Sequence, residues 1–377
     1  MYLPLLAAII SSISTFGSSP TSDFPRKISA SELIQLVTAA QTSSDADLSQ
    51  KLSAVVLTDR LSTARLAELE RRMPGEKSRE ALTVLADQSL FLPPPPDVIP
   101  ADPAPNAAAT RQMLVKIVNY VNTTVRQLPN LIAIRSTNGF EDRPGEDRLT
   151  STGTESLSSL PIHWVGGLKT EVTYRDRLEV EDKGFKAEKR GDGIGGLITR
   201  GEFGPVLSTV LADALKGKIT WSRWEKRGDR TLAAFHYEVP EDKSNYHVQF
   251  CCVVEGYDAN NMAEKRVFNE RSAYHGDIVF DPADGSIQLL TLEAEMPSGG
   301  LVSSAGIAVE YAPQEIGGQS YICPARSVST LQAHTAQQTG AVSRSNYKGA
   351  PKTFLNDVTF SNYRRFGTEM KILTASP

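Results

Sequence analysis

Beyond Leu131 the apolar residues of this chain recur at every second position, run after run, and no other feature constrains the fold as tightly. Successive side chains on a strand point to opposite faces, so this period marks strands with one face in a core. The runs are Leu131–Thr137, Lys169–Val180, Phe185–Arg190, Lys218–Lys226, Leu232–Val239 and His247–Val254. They continue with Tyr274–Phe280, Ser286–Met296, Gly306–Tyr311, Gln319–Ser329 and Asn356–Lys371. Gly, Asp, Asn or Pro sits in most of the gaps, which are short. Short gaps suit hairpins, whereas parallel neighbours need a crossover of roughly a dozen residues or more. The expectation is a large antiparallel sheet.

The stretch Tyr274–Glu295 poses a choice between chemistry and geometry, because it holds His275, Asp277, Asp281, Asp284, Gly276 and Gly285. As geometry it is strand, turn, strand. Proline pre-sets one dihedral of Asp281-Pro-Ala-Asp-Gly285, glycine supplies a positive φ, and the two aspartates cap turn amides. As chemistry it is poor. A calcium loop needs acids at alternate positions and a distal glutamate, and His275 has no second histidine one helical turn away. The turn is the reading adopted, with no metal.

One helix precedes the strands and another interrupts them. About Ala107 to Leu128, the residues Leu114, Ile117, Val118, Val121, Val125 and Leu128 share a face, and Pro129 ends the helix. From Gly204 to Lys216, Leu207, Val210, Leu211, Ala214 and Leu215 share a side. Upstream, Ser29–Phe91 reads as four short helices, the first opened by the capping-box spacing Ser29-Ala-Ser-Glu32. Their stripes are Leu33, Leu36 and Val37; Leu48, Leu52, Val55 and Val56; Leu66 and Leu69, stopped near Pro74; and Leu82, Leu85 and Ala86. Each stripe needs a neighbour to bury it. Pro93–Pro96, Pro100, Pro103 and Pro105 form a linker, since repeated proline favours extended geometry. The division is 1–22 as a leader, 23–92 as a helical domain, 93–106 as the linker and 107–377 as the sheet domain. The fold class is α+β: a small all-α layer, then a curved antiparallel sheet, a half-barrel, covering amphipathic helices.

Charge and leader bound the function. The 377 residues carry 40 basic and 44 acidic side chains, a net of -4, which is no electrostatic footprint for nucleic acid. Leu3–Gly17 is an apolar run followed by small residues, shorter than the ~20 residues that span a bilayer. It fits a secretory signal, although no Lys or Arg precedes it, and a structural N-terminal helix is the competing reading. An exported chain, periplasmic or secreted, is expected, with no transmembrane helix. Cys251, Cys252 and Cys323 form no C-x-x-C pair. Either one of the vicinal pair bridges to Cys323, or all three are small buried hydrophobes. The second is preferred, because spacing cannot place the Cβ atoms.

Dedicated catalytic patterns do not stand out. Gly191–Gly196 matches G-x-G-x-x-G but lacks a buried strand before it and a helix after it, so a hairpin is expected. His236 and His247 fall on neighbouring expected strands, and an enzyme would need them to meet beside a carboxylate. Trp221 and Trp224 share a strand at odd separation, which puts them on opposite faces and calls for cover on the second face. The two amphipathic helices are the expected cover. A sheet curved around them leaves an apolar groove, expected to be lined by Leu114, Ile117, Val121, Leu207, Leu211, Trp221 and Phe250. The same helices could instead fill that groove completely.

From about Ala107 onward the chain resembles the β half-barrel proteins of the LolA/LolB type, the outer-membrane lipoprotein carriers, and the related RseB-type sensor domain. Carrying the resemblance are an amphipathic helix followed by Leu128-Pro-Asn130, the hairpin Tyr274-x-Gly-x-Ile with Asp281-Pro-x-x-Gly285, and Ile316-Gly-Gly-Gln-Ser-Tyr321-Ile-Cys-Pro324. The chain is also similar over most of its length to large exported bacterial proteins. They share runs like Leu85-Ala-Asp-Gln-Ser-Leu-Phe-Leu92, Gly201-Glu-Phe-Gly204 and Phe360-x-x-Tyr363-x-x-Phe366. The resemblance implies a non-enzymatic exported protein that binds a lipid or lipoprotein acyl chain in its groove. The alternative is a cell-envelope interaction or sensor module with a filled core, its helical layer touching another protein. Neither reading calls for a cofactor.

Overall fold

The computed structural model describes residues 25–366, apart from 125–126, 151–152, 177, 182–186, 189–193, 198, 200–201, 258–262 and 335–349. The expected leader and Gly191–Gly193 lie outside the described residues.

The N-terminal layer runs β1 (Arg26–Ile28), α1 (Ala30–Ala39), α2 (Asp45–Ser53), β2 (Val55–Leu57), α3 (Thr63–Glu70) and α4 (Glu76–Ser89). The capping box forms: Glu32 N donates to Ser29 Oγ at 3.2 Å, and Ser29 N donates to Glu32 Oε2 at 2.7 Å. Leu33, Val37, Leu48, Leu52, Leu66, Leu69 and Leu82 make the layer's own core. One expectation is corrected. Val55 and Val56 leave the second helix and form β2, which pairs in parallel with β1. The β-branched pair favours extended backbone, and Val55 and Leu57 alternate inward around Val56.

The linker includes a 3₁₀ turn, Pro96–Val98, and leads to α5 (Ala107–Asn119), capped by Asn106 Oδ1 on Ala109 N at 2.9 Å. The regular helix stops short of Leu128. A π-helical turn, Tyr120–Thr124, takes over at its end.

The strands that follow are β3 (Leu131–Arg143), β4 (Glu146–Thr150), β5 (Gly153–Leu157), β6 (Leu160–Arg175), β7 (Leu178–Glu181) and β8 (Ala187–Glu188). After α6 (Pro205–Ala214) come β9 (Lys218–Arg227), β10 (Arg230–Val239), β11 (His247–Tyr257), β12 (Ala263–Arg271) and β13 (Ala273–Phe280). The last are β14 (Ile287–Glu295), β15 (Val302–Ile316), β16 (Gln319–His334) and β17 (Pro351–Arg365). The large sheet has the order β7-β6-β3-β17-β16-β15-β14-β13-β10-β9, with β8 beside β6. Each of its pairings is antiparallel, and the path ends in two edges, so the sheet is open. β4–β5 and β11–β12 are separate hairpins. The molecule is therefore a mixed α/β fold built on one open antiparallel sheet. The expected strand Lys169–Val180 divides at Asp176, whose φ of 54° turns β6 into β7.

The turn at Asp281–Gly285 is geometric. Ala283 N donates to Asp281 Oδ1 at 2.9 Å and Ser286 N to Asp284 Oδ1 at 2.8 Å. Gly285 has φ 82°, and a Cβ there would come within 2.5 Å of the Lys116 carbonyl carbon. Lys116 Nζ donates to Pro282 O at 2.7 Å, so this turn seats α5 on the sheet.

The tryptophan expectation fails for a local reason. β9 and β10 slip register where Ala234 pairs with Arg223 and Phe235 with Trp221, leaving Ser222 as an extra residue. A bulge resets the alternation. Trp221 and Trp224 then share a face, edge to face at 4.6 Å, and both pack on the core that holds α5 and α6. The helices cover that inner face only. The outer face is covered by the N-terminal layer: a Cβ at Gly306 would meet the Phe91 ring at 2.9 Å, and Val84 and Leu90 cluster with Phe140, Ala308, Val328 and Leu355.

Candidate functional site

The inner face gathers the seven expected groove residues. Ile117, Val121, Leu207, Leu211 and Phe250 are buried in one cluster with Phe235, Tyr237, Tyr274 and Phe280, and Leu114 and Trp221 pack against it. α5 and α6 bring their apolar stripes down on β10 and β13, while Phe250 reaches in from β11 and meets Phe268, the two rings tilted at 5.3 Å. Asp213, fully buried at the end of α6, fixes this arrangement: it accepts from Asn245 N at 2.7 Å, Asn245 Nδ2 at 2.5 Å and the Tyr274 hydroxyl at 3.1 Å. These side chains pack against one another in that cluster.

The outer face is different in kind. Arg60, on the loop before α3, reaches 165 residues along the chain to Glu225, and both are buried. Glu225 also receives Arg223 at 2.8 Å; Arg223 donates to Asp277 at 2.7 Å, and Asp277 Oδ1 lies 2.8 Å from His236 Nδ1. Burial lowers the Arg223 pKa, but Asp277 and Glu225 outweigh it and hold the guanidinium above its ordinary value. A second bridge joins Asp87 of α4 to Arg326 of β16, which also donates to Asp357 at 2.8 Å. Asp87 has no exposed surface, and burial, followed by repulsion from Asp357, raises its carboxyl well above the ordinary range even beside Arg326. Between the two bridges Thr63 donates to Glu310 at 3.2 Å.

The linker closes this seam at one edge of the sheet. Arg60 N donates to Pro93 O at 2.8 Å, Arg65 pairs with Asp97, and Trp224 Nε1 donates to Pro103 O at 3.0 Å. Prolines, which cannot extend a ladder, thus shield β9 from further pairing.

The histidines divide. His236 pairs with Asp277 and stands 6.0 Å from His275, itself 3.5 Å from Glu295. His247 is elsewhere, on the β11–β12 hairpin beside Asn269 at 3.0 Å. Both members of the His236–His275 pair are about a third exposed on the sheet face, an acid-base patch open to water. Burial raises the Glu293 carboxyl in the same patch. Among the described residues no group of three or more His, Cys, Asp or Glu could hold a metal ion.

Cys323 is free and buried, and burial pushes its thiol up to about 12. Cys251 is exposed and disulfide-bonded, so it is neither a buried hydrophobe nor a partner of Cys323. The shared runs noted in the sequence are packing motifs: Phe203 lies 5.2 Å from Phe360, 6.1 Å from Tyr363 and 5.8 Å from Tyr174. Leu85–Leu92 contains the docking residues Asp87, Leu90 and Phe91. The sequence did not single out Arg60, Glu225 or Arg326. The signal available was charge at positions where strand alternation turns toward a covered face.

No family model and no curated protein matches the chain. Among solved structures it is similar to OmpT, an in-vitro folded outer membrane protein of Vibrio cholerae in its trimer form. The identity is 9%, covering 62% of this chain and 100% of that one, with a TM-score of 0.11, and a likeness of that degree carries no argument. No helix among the described residues is long and apolar enough to cross a membrane.

Proposed function

We propose that this chain is an exported, non-enzymatic interaction or sensor module of the cell envelope, working with a filled core. The sheet would bend around α5 and α6 as a half-barrel, as the LolA/LolB and RseB resemblance implies, and the N-terminal helical layer would be the surface that meets a partner. One observation carries this reading: the layer, with an apolar core of its own, is docked through the buried pairs Arg60–Glu225 and Asp87–Arg326. Buried charges hold a contact in register yet leave it sensitive to conditions, unlike an apolar seam. The mutual packing of Ile117, Val121, Leu207, Leu211 and Phe250 supports a filled core over an open acyl groove.

The test is partner capture in the source cell. Charge reversal on the layer's solvent face, Glu70→Lys with Arg71→Glu, should lower recovery of a defined envelope protein while the chain stays folded. Recovery that is indifferent both to these changes and to loosening the layer by Arg326→Met would defeat the proposal.

A further inference from the structure

At one end of the seam the helical layer and the sheet part, leaving a cleft of about 630 Å³. Small-molecule sites occupy roughly 300–1,000 Å³, so the space suits a ligand. On the layer side stand Val56 of β2 and Val84 and Leu85 of α4; on the sheet side, Leu160 and Ile162 open β6. Leu160 is 40% exposed, a large aliphatic side chain left to water at the mouth. Two charged residues join this lining, Asp142 and Arg143 at the end of β3. The Asp142 carboxylate is engaged by the Thr353 amide at 2.8 Å. Arg143 is exposed, donates to the Ser158 carbonyl at 3.3 Å and has no carboxylate partner among the described residues.

The walls shared by the two layers are mostly apolar, with Gln50, Ser53, Gln88 and Ser159 as their neutral polar members, and one cation stands beside them; the complementary molecule is an aliphatic chain ending in one negative charge. We infer that the cleft binds a free single-chain fatty acid, its tail between α4 and β6 and its carboxylate on the Arg143 guanidinium. The planar guanidinium fork matches a carboxylate in shape and charge. A tail lodged there touches both layer and sheet, so the ligand favours the docked arrangement over a parted one. That consequence rests on the sensor reading, for which the fatty acid would be the sensed molecule; the site itself rests on the cleft.

The experiment titrates the full chain with cis-parinaric acid, followed by fluorescence, and displaces it with dodecanoate or dodecanol. Two variants at exposed positions are compared, Leu160→Glu and Arg143→Gln, with circular dichroism as the check on folding. The wild type should take up the probe saturably, and Leu160→Glu should weaken uptake about tenfold or more. Arg143→Gln should weaken dodecanoate and leave dodecanol unchanged, and it decides alone if Leu160→Glu does not fold. Absence of saturable uptake, uptake untouched by either variant, or equal loss of acid and alcohol with Arg143→Gln would each overturn the inference. Partner capture measured without fatty acid separates the two proposals. If capture survives while uptake is absent, the ligand site falls and the interaction module stands.

Discussion

The two faces of the large sheet are covered by helices in opposite ways. On the inner face α5 and α6 lie on aromatic and aliphatic side chains, Phe235 stacked on Phe280 at 5.3 Å among them. On the outer face the N-terminal layer meets a smaller apolar patch and is tied down by Arg60–Glu225 and Asp87–Arg326. Apolar burial is non-directional and tolerates small shifts, whereas a buried ion pair is costly to desolvate and fails when either partner is lost. The inner contact is thus built to stay and the outer one to be specific.

Each face offers substitutions that test this contrast. Phe235→Ala should have the largest effect, about 3–5 kcal/mol of global stability by denaturant unfolding, since it opens a cavity in the permanent core. Arg326→Met comes next, about 3 kcal/mol, because it strands the buried carboxylates of Asp87 and Asp357. Its mark should be local: faster amide exchange in α4, with α5 and α6 still protected. Equal loss of protection on both faces would show that they are one cooperative unit.

A smaller effect, about 1–3 kcal/mol, is expected of Gly306→Val, which drives a side chain into the Phe91 ring and should show the same local exchange pattern. The smallest belongs to Asp87→Asn, which keeps the shape of the contact and leaves Arg326 paired with Asp357. Its value lies in pH. Burial and Asp357 raise the Asp87 carboxyl, so its contribution is fully present below the ordinary carboxylate value and is lost as pH rises through the raised one. Unfolding midpoints measured from acid to neutral pH should fall with pH more steeply in the wild type than in Asp87→Asn. Parallel curves would remove Asp87 as the source.

Much of the sheet was legible because its rules are local. The turn at Asp281–Gly285 and the Ser29 capping box follow from residue chemistry within five positions, and both form. Errors arose where a local rule met a distant partner. Val55 and Val56 sit in a helical stripe by spacing, but β1 offered them a strand to pair with. Trp221 and Trp224 were assigned to opposite faces by counting, and a bulge against β10 rejoined them. The seven residues expected to line a groove lie in or against one core cluster, since amphipathic stripes identify what turns inward, yet a stripe does not say whether the space beneath it is occupied. The outer-face pairs escaped notice altogether.

The amino-acid order by itself determined the strand period, the turns, the helix caps and the antiparallel sense of the sheet, because those depend on neighbours a few residues apart. Only the tertiary structure decided that the N-terminal layer covers the outer face, that Arg60 meets Glu225 and Asp87 meets Arg326, and that an apolar cleft remains at the joint. The two ion pairs join residues 165 or more positions apart, and a charge carries no record in sequence of the opposite charge that will neutralise it.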